Sequence, residues 1–576
     1  MADESRIHRR QVPGEVRLPG ELHPVLRRVY ANRGVKTASE LDYTATALIP
    51  PDTLGGVAAA AALIEAHLLD GRILVVGDFD ADGATSTALL LEVLRALGAA
   101  SVDYLVPNRF EFGYGLTPEI VTLALKQQPT LIITVDNGIS SHEGVARAKA
   151  AGVAVLITDH HLPGPTLPDA DVIVNPNLSD DGFPSRCLAG VGVVFYLLLG
   201  LRAHLRRRNW FQGAGRSEPR LGDWLDLVAL GTVADLVPLD HNNRILVHQG
   251  LQRMRSGRSR PGIDALIRVA GRNRSDLACS DLGFALAPRL NAAGRLDDMS
   301  HGIETLLARD AGTAWERAQI LDTMNQRRRD IEYDMQQEAE RAIDKLKLSE
   351  ADGLPAAVTL YQSGWHAGIV GLVAARIRER VHRPVAALAR GDNGLLKGSL
   401  RSVSGIHIRD VLADMDTRHP GLLERFGGHA MAAGLSMKEQ ALPRFRDAFA
   451  DTVQRFAGEE NLAGRVLSDG ELSPRDFSLE FAETLRRAGP WGQAFPEPVF
   501  DGVFTVLDSR VVGERHLKCR LRQVDLQAPL EAIAFNPPAH WLDSLPERIR
   551  VAYRLDVNEY RGLRRPQLVI ELIEPA

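Results

Sequence analysis

The sequence predicts an α/β protein: a parallel-sheet domain, a long linker helix, a second α/β domain, and a small β-barrel or sandwich at the end. Three observations carry this reading. From residue 48 to about residue 250, short apolar runs alternate with helical segments such as 85–97 and 119–125, and such alternation implies βαβ units on a parallel sheet. Residues 313 to about 350 contain neither Gly nor Pro and mix charge with spaced apolar residues, the pattern of one long, partly exposed helix. From about residue 465, short β-like runs at 503–507, 517–521, 530–535, 551–557 and 567–572 are separated by polar turns, as in a small barrel or sandwich.

In chain order, residues 1–46 form a polar lead-in with a short helical part, and 47–260 the parallel-sheet domain. A polar surface loop, Arg206-Arg207-Arg208 through Arg220, interrupts that domain. Residues 261–350 are a helical connection ending in the linker helix, 351–460 the second α/β domain, and 461–576 the β-rich domain. A chain of 576 residues fits three or four domains at roughly 150 residues each. No apolar run reaches the length of a membrane span; the longest, Val191 to Leu201, reads as a core helix, so no membrane partner is expected. The start, Met1-Ala2-Asp3-Glu4-Ser5-Arg6, has no apolar signal region. The three cysteines, Cys187, Cys279 and Cys519, have no metal or disulfide spacing and fit a reducing cytoplasm. A net charge of −5 does not exclude nucleic acid, because phosphate contacts need only a local basic groove. No heptad seam stands out, so a monomer is expected.

The chemistry lies where apolar runs stop. Ile73-Leu74-Val75-Val76 leads into Asp78-Phe79-Asp80-Ala81-Asp82-Gly83. Leu131-Ile132-Ile133-Thr134-Val135 leads into Asp136-Asn137-Gly138, and Val155-Leu156-Ile157-Thr158 into Asp159-His160-His161. Ligands of an open parallel sheet bind at the carboxyl ends of its strands, so these acids and imidazoles are expected on one rim. Packed carboxylates repel and call for a divalent cation, and oxygen-rich sites with one or two imidazoles suit Mn²⁺ or Mg²⁺. The expectation is a two-metal hydrolase. Asp78, Asp80 and Asp82 alternate and, if extended, share one face; Gly83 lets the chain turn, and Ala84-Thr85-Ser86 opens a helix that Thr85 or Ser86 alone could cap. A calcium-loop reading fails because Ala88 to Leu90 are apolar where a Glu is needed. Asp136-Asn137-Gly138 by itself is a common turn, and Asp235, closing the apolar run 227–234, is bland alone. The joint occurrence of four such motifs is what is specific.

Other segments suit phosphate or bases. Arg109 and Tyr114, in Pro107-Asn108-Arg109-Phe110-Glu111-Phe112-Gly113-Tyr114-Gly115, combine a cation with aromatics. Gly427-Gly428-His429 can bring backbone N–H groups to a phosphate, and Arg295 and Arg401 can fork onto its oxygens, with Ser399 beside Arg401. Lys518, Arg520 and Arg522 alternate on an expected strand, as a DNA-facing basic stripe or a solvated edge.

Together these motifs resemble the DHH phosphoesterase superfamily. The resemblance continues through Leu286-Ala287-Pro288-Arg289-Leu290-Asn291-Ala292-Ala293-Gly294-Arg295. It extends to Gly364-Trp365-His366-Ala367-Gly368-Ile369-Val370-Gly371, Lys397-Gly398-Ser399-Leu400-Arg401-Ser402 and Phe426-Gly427-Gly428-His429-Ala430-Met431-Ala432-Ala433-Gly434; these last three are similar to the DHHA1 substrate-binding domain. Length, motif order and the β-rich end resemble the superfamily's single-stranded-DNA-specific 5′-to-3′ exonucleases, with an oligonucleotide/oligosaccharide-binding (OB-like) barrel last. The resemblance implies two divalent ions, Mn²⁺ preferred or Mg²⁺, held by Asp80, Asp82, Asp136, His160 and Asp235. Asp78 and His161 would support them, Asp159 would belong to the catalytic group, and Asp136 would bridge. Val76 stands where other members place a histidine, so the first ion's ligands differ in part. The implied DNA and phosphate contacts are Arg109, Tyr114, Arg289, Asn291, Arg295, Ser399, Arg401, Gly427, Gly428, His429, Lys518 and Arg520. The implied activity releases mononucleotides from single-stranded DNA in recombination and repair, with a helicase and a single-stranded-DNA-binding protein as candidate partners. A phosphodiesterase for short oligoribonucleotides would lack the long C-terminal segment, and a catalytically dead scaffold would have lost the motif acids, which are intact here.

Overall fold

The computed structural model describes residues 6–11, 14–107, 115–212, 216–349, 354–391, 394–458, 464–513, 515–523, 526, 528–560 and 562–576, without side chains at 345–349, 539 and 560. It divides into two compact units, Arg9–Asn325 with Ser468–Ala576, and Met1–His8 with Gln326–Leu467.

In the first unit the apolar runs form β1 (Arg72–Gly77), β2 (Ser101–Leu105), β3 (Leu131–Val135), β4 (Ala154–Thr158) and β5 (Val172–Val174). They make one sheet in the order β2-β1-β3-β4-β5, parallel throughout. Ile73 to Val76, Leu131 to Val135 and Val155 to Ile157 are buried, because helices cover both faces of a parallel sheet and leave no polar side. The register sets up the site. Gly77 lies opposite Val135 and Val135 opposite Thr158, so Asp78, Asp136 and Asp159 leave three neighbouring strands at one level.

Helices α1 (Ala81–Ala96), α2 (Gly190–Arg207), α3 (Leu225–Ala234), α4 (Pro261–Val269) and α5 (Ala287–Leu296) follow, and α2 contains the apolar run expected to be a core helix. The extended reading of Asp78–Asp82 is corrected here. Asp80 is the N-cap of α1, accepting from the N–H groups of Asp82 and Gly83 at 2.9 and 3.0 Å, so the chain turns helical between the acids and ends their two-residue alternation. Thr85 does not cap; its hydroxyl donates back to the Ala81 carbonyl at 2.9 Å. The expected long helix is α6 (Ala311–Ser349), whose residues to Asn325 belong to the first unit and the rest to the second.

The second unit holds β6 (Val358–Tyr361), α7 (Val370–Val381), β7 (Val385–Arg390), β8 (Leu395–Arg401), α8 (Ile408–Arg418), β9 (Arg425–Gly428), β10 (Ala432–Lys438) and α9 (Leu442–Phe456). Its sheet order is β9-β10-β8-β7-β6, parallel only between β6 and β7, the pair joined by the crossover helix α7.

The C-terminal strands close a five-stranded barrel of β11 (Phe500–Val512), β12 (His516–Arg522), β13 (Leu530–Phe535), β14 (Arg548–Tyr560) and β15 (Leu563–Pro575), in the order β11-β12-β13-β15-β14. β11 is longer than its apolar run because it serves two neighbours. Phe500 to Thr505 pair with β14, and beyond an irregularity at Val506/Asp508 the polar end pairs with β12. The barrel shares a continuous core with the parallel-sheet domain. Trp491 stacks on Phe495 with ring centroids 5.2 Å apart, Arg244 covers Phe495 at 4.2 Å, and buried Arg33 pairs with Asp469 at 3.0 Å. Among the described residues no single helix is long and apolar enough to cross a membrane.

Candidate metal centre

The rim of the parallel sheet collects the motif acids as the register dictates. Three overlapping groups have ligand atoms within 4.8 Å of one another: Asp78, Asp80 and Asp136; Asp136, His160 and His161; and Asp82, His160 and Asp235. Asp136 and His160 are each shared between two groups. Asp136 takes a left-handed backbone, φ 63°, tolerable for Asp but costing of order 1 kcal/mol or more. The following turn holds it there. The Asn137 amide donates to the Val76 and Val135 carbonyls at 3.1 and 2.9 Å, so the D-N-G segment bolts β1 to β3.

Burial and mutual repulsion dominate the electrostatics. Burial, then the charge of Asp235, pushes Asp82 up to about 7. Burial, then Asp80, pushes Asp235 up to about 8. Asp136 is raised well above the carboxylate range by burial and by Asp82. Helix α2 offsets part of this, since its first N–H groups, on Gly190 and Val191, donate to Asp82 at 2.6 and 3.0 Å. Burial lowers His160, which leaves it the neutral imidazole that metals require. Its Nε2 is buried without a hydrogen-bond partner among the described residues, yet lies 3.0 Å from Asp136 Oδ1 and 3.5 Å from Asp235 Oδ2. A buried, neutral nitrogen aimed among carboxylates fits a divalent cation with mixed oxygen and imidazole ligands.

Asp159 has a different task. It accepts from the N–H groups of Ile139, His160 and His161 and from His161 Nδ1, the last at 2.7 Å. Burial alone would raise it, but these bonds and His161 hold it below the usual range. His161 is lifted to about 9 despite burial, by its bond to Asp159. Asp159 thus orients the ring beside it, as carboxylates behind ligating histidines do. Asn175 and Asn177 donate to the His161 and His160 carbonyls at 2.9 and 2.6 Å.

The remaining expected residues divide. Asn291 accepts from the Ala81 N–H at 2.8 Å through its side-chain oxygen, supporting the start of α1. Arg295 follows one turn later on the same face of α5, and Gly294 lets α5 press on the metal loop, since a Cβ there would meet the Phe79 carbonyl at 1.8 Å. Arg289 instead pairs with Asp322 at 2.7 Å. Arg109 and Tyr114 lie outside the described residues. In the second unit, Ser399 and Arg401 share a face of β8 beside the start of α7; a Cβ on Gly371 would lie 3.1 Å from Ser399 Oγ and 3.0 Å from Arg401 Nη2. Burial and Arg378 lower Arg401, whose guanidinium bonds its neighbour's carbonyl, on Leu400, among the described residues. Gly427 pairs with Gly434 and Gly434 with Ser399, placing the Gly-Gly strand in the same row. Gly428, at φ 143°, and the His429 N–H, donating to the Ala432 carbonyl at 2.8 Å, close a tight hairpin. On the barrel, Lys518 pairs with Glu531 at 2.9 Å and Arg520 with Asp508 at 3.1 Å, while Arg522 is exposed.

Two glycines that let the site close up have no motif of their own. A Cβ on Gly190 would meet Asp136 Cβ at 2.6 Å, and one on Gly231 would meet Asp82 Oδ1 at 2.9 Å. Leu236, 66% exposed at φ 59°, follows Asp235. Phe284, 79% exposed, stands on a π-turn (Leu282–Leu286) that packs on α3.

Comparison with known proteins identifies the family of each part of the chain. Family models match at residues 72–232 (DHH family, N-terminal domain), 354–455 (DHHA1 domain) and 468–572 (RecJ OB domain). The single-stranded-DNA-specific exonuclease RecJ of Dickeya dadantii (strain 3937) is 54% identical over 569 residues, 98% of this chain and 99% of the relative. The chain belongs to the RecJ family. RecJ from Thermus thermophilus in complex with Mn²⁺ superposes with TM-score 0.78 at 32% identity, covering 96% of this chain and 76% of that one. The same RecJ with Mg²⁺ gives TM-score 0.72 at 30% identity, over 96% and 75% of the two chains.

Proposed function

We infer that this RecJ-family chain is a metal-dependent exodeoxyribonuclease that degrades single-stranded DNA from its 5′ end to mononucleotides, in recombination and repair. The observation that carries the reading is the convergence of Asp78, Asp80, Asp82, Asp136, His160 and Asp235 in overlapping ligand groups, with the strand register bringing the Asp78, Asp136 and Asp159 segments to one level. Asp78, Asp80 and Asp136 would hold one divalent ion, Mn²⁺ preferred or Mg²⁺; Asp82, Asp136, His160 and Asp235 would hold the second. Bound there, such ions supply an activated water and charge stabilisation at the leaving oxygen of a phosphodiester. The chain's own groups prepare the site. Asp136 is fixed between both ligand groups by its turn. Asp159 holds His161 Nδ1 and so fixes the ring's orientation beside the ligand groups. The N–H groups of α2 steady Asp82.

Arg295 is suited to the scissile region through its place one turn from Asn291. Ser399, Arg401 and the Gly427-Gly428-His429 row are suited to the strand's terminal phosphate, because the half-buried Arg401 guanidinium has no carboxylate partner among the described residues and an anion would supply one. Arg109 and Tyr114 are assigned to phosphate and base contacts, and the barrel, with Lys518 and Arg520, to the DNA backbone. Bases would gain apolar contact from Leu236 and Phe284. A helicase and a single-stranded-DNA-binding protein remain the proposed partners, with the enzyme a cytoplasmic monomer. Asp136→Ala and His160→Ala test the ligand assignment. Each is expected to lower Mn²⁺ affinity and cleavage by at least about 100-fold, the upper end of what outer-shell substitutions cost; normal metal-dependent cleavage in either variant would remove the assignment.

A further inference from the structure

The segment from Arg253 to Arg274 contains seven arginines and one carboxylate, Asp264, in a chain of net charge −5. Arg260 is internal, its guanidinium 3.1 Å from Asp226 and 2.7 Å from Glu92. Its neighbours Ser259 and Pro261 face outward and, with Arg268, Arg272, Arg274 and Trp315, line an open cleft of about 480 Å³ where α4 meets the start of α6. The Arg268 guanidinium lies over the Trp315 ring at 4.3 Å, and Arg268 is exposed. The acids nearby are fewer than the cations. Asp264 is 3.6 Å from Arg274, and Asp281, 3.3 Å from Arg272, is shared with Arg486 at 3.5 Å.

The cleft is separate from the metal centre. Glu92, which anchors Arg260, lies on α1 eleven residues beyond Ala81, about 16 Å along the helix at 1.5 Å per residue. The metal acids sit at one end of α1 and the cleft lies toward the other.

We propose that this cleft is a second single-stranded-DNA site, holding the strand on the 3′ side of the end being cleaved. The proposal rests on the reading of single-stranded DNA as substrate. A guanidinium stacked on an indole offers a flat face to an unpaired base, and the flanking guanidiniums fork onto phosphates on either side of it. A duplex keeps its base faces stacked internally and cannot use the platform. The separation from the metals means that only a strand longer than the catalytic site itself engages the cleft.

The test compares Arg268→Glu and Trp315→Ala with the parent enzyme, on an oligonucleotide too short to span about 16 Å and on a long one. Arg268 is exposed, and its variant is first checked for an unchanged thermal midpoint; Trp315→Phe serves as the conservative control for the indole. Expected are a roughly tenfold higher KM for the long strand and a fall of about 0.7 in the slope of log Kd against log salt per lost phosphate contact, with unchanged cleavage of the short strand and retention of long-strand binding in Trp315→Phe. Parent-like binding and degradation of the long strand by Arg268→Glu would overturn the second site while leaving the nuclease reading standing. An equal loss for a blunt duplex would overturn its single-strand character. A parent enzyme that neither binds nor cuts single-stranded DNA would overturn the functional reading and this proposal with it.

Discussion

At the rim of the sheet, the position of single atoms separates a metal site from a cluster of repelling acids. Gly190 shows how close the margins are: its N–H reaches Asp82 at 2.6 Å, and a Cβ at the same residue would sit 2.6 Å from Asp136 Cβ. Gly190→Ala should therefore cost about 1–3 kcal/mol through overpacking and weaken Mn²⁺ binding by shifting Asp136. Calorimetric Mn²⁺ titration beside thermal unfolding checks both; wild-type affinity with wild-type stability would contradict the packing argument. The acids themselves were legible in the sequence, because buried β-branched runs stop at Asp78, Asp136 and Asp159. Their disposition was not. Asp78, Asp80 and Asp82 alternate in the sequence, yet the helix begins at Ala81, and where a helix begins depends on the Asp80 cap and on Asn291, 210 positions away, accepting from the Ala81 N–H. The side-chain oxygen of Asn291, read in the sequence as part of a phosphate-contact group, also braces this backbone.

Among the elements, strand and helix type follow the sequence closely, while length and contacts follow from tertiary structure. The long helix α6 was visible because nothing after Gly312 breaks a helix. The barrel strands were visible only over their buried stretches; the outer half of β11 carries Asp508, Ser509 and Arg510, whose pairing with β12 comes from closure rather than from any apolar pattern. Closure also creates a titratable anchor. Asp501, at the start of β11, accepts from Arg9 and Arg550 at 3.0 Å and from Ser468 at 2.6 Å. Burial would raise it, but these bonds hold it below the usual range. A depressed folded-state pKa gives stability that is present above the unfolded value of about 3.9 and is lost as pH falls through the folded value. Asp501→Asn should therefore lower stability at neutral pH by about 1–3 kcal/mol and flatten the loss of stability below about pH 4. Denaturant melts across that range measure it, and a variant as acid-sensitive as the parent would contradict the linkage.

For the molecule as a whole, the order of a parallel-sheet domain, a long helix, a second α/β domain and a β-rich end was legible from periodicity, while the choice of barrel over sandwich came only from the resemblance. The incorporation of the barrel into the first domain's core was not legible. The contacts that join them, Arg33 with Asp469 and Arg244 with Phe495, unite residues hundreds of positions apart and have no local signature. The net charge of −5 likewise hides an arginine-rich cleft, since charge summed over a chain says nothing of where it lies. The central claim is that this RecJ-family metal centre removes nucleotides from the 5′ end of single-stranded DNA. It is tested most directly by Mn²⁺-dependent digestion of oligonucleotides labelled at either end, beside a matching blunt duplex and a short RNA. Early release of the 5′ label as mononucleotide, from single-stranded DNA alone, is the predicted result. Preferential degradation of the short RNA, release of the 3′ label first, or binding without cleavage in the presence of metal would contradict it.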